Sequence, residues 1–500
     1  MVESGHDHRF GHFMGRLRHG ERGGHGEGSE KKWFPKAIGN ATLKTLILCS
    51  TIALYFKNIP ISEWGLIVKR FIAEKLLAWK NSERRKPLII RGARQVGKTW
   101  SVLDFGRSHF EGSPHVIDLE QHPDWHRVFD GNLSAKRILS ELEILINARI
   151  VPGKDLLFLD EVQSCPRSLM ALRYFYEECP ELHVIAAGSL LEFAMRDVSF
   201  PVGRIQFLNM VPMSFPEFLM ATGNDVAAET ILAPPSKLPE SAHGMLLEAL
   251  RRYMFIGGMP ECVLVYSRSA RMRDAFEVQA ELVNAFRQDF SKYAPHADKR
   301  CLNAVFAGIA GSVGRQVKYA HMAEGCTNPT IKKAFDLLCL ARVMRKVSAS
   351  SPPELPLGAS ASERKFKALM VDIGLMRHLS GMPVDVEYAR TDLLAIHQGA
   401  MAEQFVGQEL VAAGQDELYY WAREAKSSTA EVDFLISVAG RIHPVEVKSG
   451  AAGRLRSLHL LLQSHPNCSR GYVFSCAPYA ELPEQRLVFL PLYYAYTAGH

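Results

Sequence analysis

Short, wholly apolar runs alternate along the chain with longer stretches whose apolar residues recur at helical spacing, a rhythm that predicts an α/β protein. Pro87-Leu88-Ile89-Ile90 is the first such run and reads as a buried strand. His115-Val116-Ile117-Asp118-Leu119, Leu156-Leu157-Phe158-Leu159, His183-Val184-Ile185-Ala186-Ala187-Gly188-Ser189 and Arg204-Ile205-Gln206-Phe207-Leu208 come after it, with helical stretches between them. Strands buried on both faces need no polar alternation, so these segments predict a three-layer α/β/α domain. Ahead of them, Ile67, Val68, Phe71, Ile72, Leu76 and Trp79 predict an amphipathic helix leading into it.

Downstream the rhythm changes. Residues 225–245 are rich in Ala, Pro and Ser, which suits a linker or exposed loop. Leu302 to Val313 has helical spacing, and Lys318 to Glu324 predicts a second, short helix. Thr327-Asn328-Pro329-Thr330 is a helix start, with polar cap residues and proline in the first turn. The helix it opens carries Ile331, Phe335, Leu338, Cys339, Val343 and Val347 on one face. Three such helices predict a winged-helix-like region. Lys332 and Lys333 lie early on the third, where a DNA-reading helix presents its contacts; the alternative is a lid or dimer contact with both lysines solvated. Near the end, a helix around Glu403 precedes strand-like Leu418–Trp421, Glu431–Ile436 and His443–Lys448, then a helix near Leu455 to Leu462 and a strand over Gly471–Phe474.

Two constellations carry chemistry. Gly92-Ala93-Arg94-Gln95-Val96-Gly97-Lys98-Thr99 directly follows the first strand and matches the P-loop pattern G-x-x-x-x-G-K-S/T. Its glycines let backbone N–H groups face inward at the phosphates of ATP; Lys98 would reach the β and γ phosphates, and the Thr99 hydroxyl would hold Mg2+. Asp160 and Glu161 end the run Leu156–Leu159 at the C-terminal rim of the sheet, where ligands of parallel sheets bind. There Asp160 can orient the magnesium and Glu161 can polarise the attacking water; the bland alternative is a polar loop after a core strand. Ser189 stands where a hydroxyl can sense the γ-phosphate, or simply forms a turn. Arg204 is a candidate arginine finger, within the chain or toward a neighbour, unless it is a surface arginine in an ion pair.

The second constellation lies in the last hundred residues. The order helix, three strands, helix, strand resembles the core of the PD-(D/E)xK nuclease fold. Residues two apart on a strand share a face, so Glu446 and Lys448 stand side by side, with Asp433 from the adjacent strand completing the set. Such carboxylates would hold Mg2+ while Lys448 positions or activates the nucleophile, and Glu403 would add a ligand from the helix. Glu431 shares the face of Asp433 and adds negative charge. An ordinary ion pair between Glu446 and Lys448 is the alternative, and such domains can keep their carboxylates without cutting.

The Arg-Gln-Val-Gly-Lys-Thr core of the loop, Leu159-Asp160-Glu161-Val162-Gln163, Ala187-Gly188-Ser189, the Gly203-Arg204 pair and Ser214-Phe215-Pro216-Glu217-Phe218 together resemble a group of prokaryotic AAA-type ATPases. Members join an N-terminal ATPase domain to a C-terminal domain of unknown function, and Tyr253-Met254-Phe255-Ile256-Gly257-Gly258-Met259-Pro260 resembles the start of the second part. The likeness runs from about residue 64 to near the end and implies ATP binding and hydrolysis.

Composition changes this picture little. The 500 residues are 47% hydrophobic and 22% charged, ordinary for a multidomain globular chain, and a net charge of +6 permits an acidic partner such as DNA without demanding one. Nine cysteines with no Cys-x-x-Cys pair point to reduced thiols and a cytoplasmic location. Met1 to about Lys36, rich in Gly, His and Arg, reads as disordered, and Leu46 to Phe56 falls short of the roughly twenty residues that cross a bilayer, so no stable membrane insertion is expected. These readings divide the chain into an atypical N-terminal extension (1–62), an AAA-type P-loop ATPase domain (63–224), a helical, winged-helix-like region (225–390) and a nuclease-like α/β domain (391–500). Its ligands are ATP and Mg2+; DNA and a homo-oligomer stay open, as does the alternative of a nucleotide switch that binds protein partners without nuclease activity.

Overall fold

Five parallel strands organise the first part of the molecule, seen in a computed structural model that describes residues 69–189, 191–194, 203–293, 297–423, 430–448 and 455–499. The expectations for residues 1–62 lie outside the described residues. The elements run α1 (Ile72–Lys80), β1 (Leu88–Arg91), α2 (Lys98–His109), β2 (Pro114–Asp118), α3 (Ala135–Ile146), β3 (Leu156–Asp160), α4 (Pro166–Glu178), β4 (His183–Gly188), α5 (Leu191–Ala194) and β5 (Gln206–Asn209). The sheet order is β2-β3-β4-β1-β5. Successive strand residues feed two different cores. Ile89, Leu157, Leu159, Val184 and Ala186 pack with Ile138, Leu142, Leu169 and Phe175 of α3 and α4. Leu88, Ile90, Leu156, Phe158 and Ile185 pack with Leu76 and Trp79 of α1 and Val102 and Phe105 of α2. Helices therefore cover both faces, as an apolar run without alternation requires.

Beyond the sheet lies a helical layer: α6 (Phe215–Ala221), α7 (Asp225–Leu232), α8 (Glu240–Ile256), α9 (Pro260–Ser269), α10 (Met272–Tyr293), α11 (Lys299–Ala310) and α12 (Asn328–Leu340). Of the linker or exposed loop expected over 225–245, residues 233–239 are non-helical, while the rest is α7 and the start of α8; Ala228 and Ile231 of α7 and Leu246 of α8 join the large core. Thr327 caps α12 by accepting from the Thr330 backbone N–H, as the cap pattern predicted. The helix does not continue to Val347, however. It ends at Leu340, Arg342 takes a left-handed φ of +59°, and Val343 and Val347 belong to the turn and the strand after it.

That strand, β6 (Met344–Ser350), pairs antiparallel with β7 (Ala361–Met370) to form a hairpin behind α12. After α13 (Ile373–Leu379), α14 (Val384–Tyr388) and α15 (Ala400–Ala412) come β8 (Leu418–Ala422), β9 (Glu431–Val438), β10 (Arg441–Val447), α16 (Arg456–Ser464), β11 (Gly471–Ser475), β12 (Ala480–Leu482) and β13 (Leu487–Pro491). One eight-stranded sheet runs β12-β13-β11-β10-β9-β8-β6-β7. The hairpin joins it through a parallel β6–β8 ladder, Val347 to Leu418 and Ala349 to Tyr420. The boundary expected at residue 390 thus falls between strands of one sheet, and the region before it is not wholly helical.

Buried polar contacts lock the start of the helical layer to α15. The Phe215 N–H donates to both oxygens of Glu409 on α15, at 3.0 and 3.1 Å, and the Tyr253 hydroxyl donates to the Met213 carbonyl at 2.6 Å. Burial holds the Glu409 carboxyl well above its usual range, although the Phe215 N–H pulls it down. Gly258 packs so closely on Met213 that an added Cβ would stand 2.0 Å from its carbonyl oxygen, which explains a glycine at this point of the Gly-Gly-Met-Pro run.

Candidate functional site: a P-loop nucleotide site and a buried lysine–carboxylate cluster

The P-loop links the end of β1 to the start of α2. Gly97, at φ +92°, turns the chain into the helix in a conformation that disfavours side chains, and Gln95 is also left-handed at +65°. Lys98 is buried and folds over its own loop, its Nζ donating to the Gly92 and Ala93 carbonyls at 3.1 and 2.9 Å. Burial pushes its pKa down to about 8, although Glu161 and Asp160 pull it up. From below, Arg70 braces the loop: Nη1 donates to the Val96 carbonyl at 2.9 Å while Nε pairs with Glu217 at 3.0 Å. Glu217 closes a capping box with Ser214 on α6, so the Ser-Phe-Pro-Glu-Phe block supports the loop. Arg94 reaches out of the loop to Asp289 of α10.

Thr99 and Asp160, 61 positions apart, meet at this loop: the Thr99 Oγ1 donates to Asp160 Oδ2 at 2.7 Å. The Asp160 carboxyl is buried, and burial together with neighbouring Glu161 pushes it up to about 7. Glu161 takes a left-handed φ of +50° and is held by the Gln163 side chain. Ser189 is buried just past β4, the strand between β1 and β3, so it stands between the two motifs. Gly92, Ala93, Arg94, Gln95, Val96, Gly97, Lys98, Thr99, Asp160, Glu161 and Ser189 therefore gather at one rim of the sheet.

Arg204 does not join them. It precedes β5, which runs parallel to β1, and so lies at the rim where strands begin, a strand length (~13 Å) from the rim where β1 delivers the loop. Its Nε donates to Glu177 at 3.0 Å on the surface. The expected contact with nucleotide in the same chain is thereby corrected to an ion pair.

Bound Mg2+ and ATP fit this rim on the chemistry of its donors. A hydroxyl and a carboxylate already within 2.7 Å are the hard oxygen pair magnesium selects, and the buried lysine supplies a positive charge beside them. When bound, the metal would neutralise charge on the transferred phosphoryl group.

The second set of residues also comes together, with an addition. Asp433 Oδ2 accepts from the Val447 N–H at 2.9 Å, and Lys448 Nζ lies 2.7 Å from Glu446 Oε1, side by side as strand spacing required. Burial first, then Asp433, pushes Glu446 up to about 8, and burial pushes Glu403 up to about 7. Between these carboxylates sits Lys367 from β7. Its side chain is 2% exposed, with Nζ 2.6 Å from Glu431, 2.9 Å from Glu403 and 3.2 Å from Asp433. A metal at Glu403, Asp433 and Glu446 does not fit this arrangement, because the Lys367 ammonium already uses an oxygen of Glu403 and one of Asp433, and Lys448 holds Glu446 Oε1. Among the described residues no group of three His, Cys, Asp or Glu side chains is placed to hold a metal ion. Sequence reasoning missed Lys367, whose only local signal is a charge in an apolar strand run, Phe366-Lys367-Ala368-Leu369-Met370. A cavity of 440 Å³ lies beside the cluster, lined by Glu403, Asp433, Lys448, Arg315, His397 and Gly314 among others.

Fold and first site define a P-loop ATPase domain of the AAA type. Residues 84–219 match the family model "AAA domain", residues 247–385 match "Domain of unknown function (DUF8612)", and residues 398–494 match "Domain of unknown function (DUF4143)". No curated protein matches the chain. Among solved structures, the chain is similar to the Walker-type ATPase PABY2304 of Pyrococcus abyssi, at 15% identity over 63% of this chain and 96% of that one, with a TM-score of 0.39. It is also similar to the Orc1 protein of Aeropyrum pernix in complex with DNA, at 14% identity over 66% and 94%, TM-score 0.28. RuvB of Thermotoga maritima matches at 15% identity over 57% and 90%, TM-score 0.27. No helix among the described residues is long and apolar enough to cross a membrane.

Proposed function

We propose that this chain hydrolyses ATP with magnesium and uses nucleotide occupancy to change how its winged-helix-like region and C-terminal sheet meet DNA. The observation that carries the first half is the Thr99–Asp160 hydrogen bond beside buried Lys98. Backbone N–H groups of residues 92–97 and the Lys98 ammonium bind the phosphates; Thr99 and Asp160 hold the metal; Glu161 accepts the proton of the attacking water; and Ser189 contacts the γ-phosphate. Arg204 is left to reach a neighbouring copy in a homo-oligomer. Eight described cysteines form no disulfide, which supports a reducing cytoplasmic setting.

DNA as the target is supported by α12 and its hairpin, which keep the winged-helix order, and by exposed Lys333 near the start of α12. Cleavage is not part of this reading, because Lys367 occupies the carboxylate set. That same observation favours the second reading, a nucleotide switch acting on a protein partner without cutting.

ATP turnover measured with and without DNA tests the proposal. Lys98→Ala abolishes nucleotide binding, and Glu161→Gln binds ATP but turns over about 10²–10⁴-fold more slowly. Full hydrolysis in both variants refutes the site assignment; normal turnover with no DNA binding at low salt selects the protein switch.

A further inference from the structure

The cluster around Lys367 points beyond ATP hydrolysis. We propose that Lys367 is the resident cation of the C-terminal carboxylate site: the site takes no divalent metal while the ammonium occupies it, and takes one when the ammonium is removed.

An ammonium is strongly hydrated, so stripping it of water needs several oxygens in return. Lys367 finds them in Glu431, Glu403 and Asp433, all within 3.2 Å, with the Tyr420 ring 5.4 Å away. A hard divalent ion draws on the same kind of oxygen set at about 2.0–2.6 Å, so ammonium and metal exclude one another. A fourth carboxylate is poised alongside. Glu446 lies one position past the Val445–Phe434 pair, next to Asp433, and is buried; its Oε1 holds Lys448, but its Oε2 has no hydrogen-bond partner among the described residues. Withdrawing Lys367 would leave three carboxylates facing each other and a fourth with a spare oxygen, a charge that only another cation offsets.

The fold holds Lys367 in place: Met370 of β7 exchanges hydrogen bonds with the Gln404 side chain of α15, and the Phe366 carbonyl accepts from the Val317 N–H. The 440 Å³ cavity reaches Glu403 and Asp433 and offers a metal a path from solvent. The inference goes beyond the ATPase reading and does not require that DNA be cut.

Manganese titration of the full chain without nucleotide, monitored by electron paramagnetic resonance, tests it. The Lys367→Met variant gains one Mn2+ per chain, bound at least tenfold more tightly than by the wild type, and adding Asp433→Asn removes that gain. Equal binding by wild type at a site that Asp433→Asn removes would overturn the proposal, as would a folded Lys367→Met variant with no gain. Should Lys367→Met fail to fold, Lys367→Met with Glu431→Gln removes one charge of each sign and keeps Glu403 and Asp433; its failure to gain Mn2+ overturns the proposal equally. ATP turnover of these variants reads the P-loop site separately.

Discussion

Arg342 Nε and Nη2 both lie 2.7 Å from Glu192 Oε1, joining the segment just past Ser189 to the turn between α12 and β6. Glu192 and Arg342 line a cavity of 680 Å³ that also touches Ala93 of the P-loop and Asp416 before β8. Asp416 is a second joint: Asn209 at the end of β5 donates to its carboxylate at 2.8 Å, and Arg345 of β6 donates to its carbonyl. A short covalent and ionic route thus joins the segment past Ser189 to the hairpin. If DNA stimulates ATP turnover, Arg342→Ala should abolish that stimulation while leaving the basal rate within about twofold. The exchanged pair, Glu192→Arg with Arg342→Glu, should restore part of it, and unchanged stimulation in Arg342→Ala would remove this route.

The pH profile of kcat/KM for ATP reports the free protein. Asp160, at about 7, must lose its proton to hold magnesium, so the profile should rise through pH 7; Lys98, at about 8, must keep its proton to hold phosphate, so it should fall above pH 8. Stability moves in the opposite sense for Asp160. Its folded pKa lies above the ordinary 3.8, so its contribution is full below that value and is lost as pH rises through 7. Activity that stays flat from pH 6 to 9 would contradict both assignments.

Gly258→Ala places a methyl against the Met213 carbonyl, a backbone atom that cannot step aside cheaply. The expected cost is about 3 kcal/mol, read as a lowered midpoint in urea denaturation, with the ATPase sheet and the helical layer destabilised together.

Lys332 pairs with Asp336 at 3.0 Å, whereas Lys333 is exposed. If α12 lies against DNA, Lys333→Ala weakens binding similarly across sequences and lowers the salt slope by about 1. A titration series from low to moderate salt checks this, and an unchanged slope places the helix elsewhere.

Much of the first site was legible because its signals are local. A strand, eight contiguous loop residues and an acidic strand end each declare themselves within a few positions, and β4 between them needed only its own small apolar run. The order of α15, β8, β9, β10, α16 and β11 was legible for the same reason. The features that escaped reading depend on distant pairing. Nothing near Lys367 announces partners 36 to 66 positions away at Glu403 and Asp433. Val343 and Val347 fit a helical stripe as well as a strand, and only the left-handed turn at Arg342 and the ladder to β8 decide between them. Arg204 shows the converse: a glycine–arginine pair carries no information about which rim of the sheet it occupies.

Because β6 is stitched into the ladder of β8, the segments before and after residue 390 have no clean seam to cut. A graft that moved residues 391–500 alone would expose the bare flank of β8 and leave Glu403, Glu431 and Asp433 without their counterion. Any transplant of this module has to carry the hairpin with it, because β7 brings the ammonium that the carboxylates share.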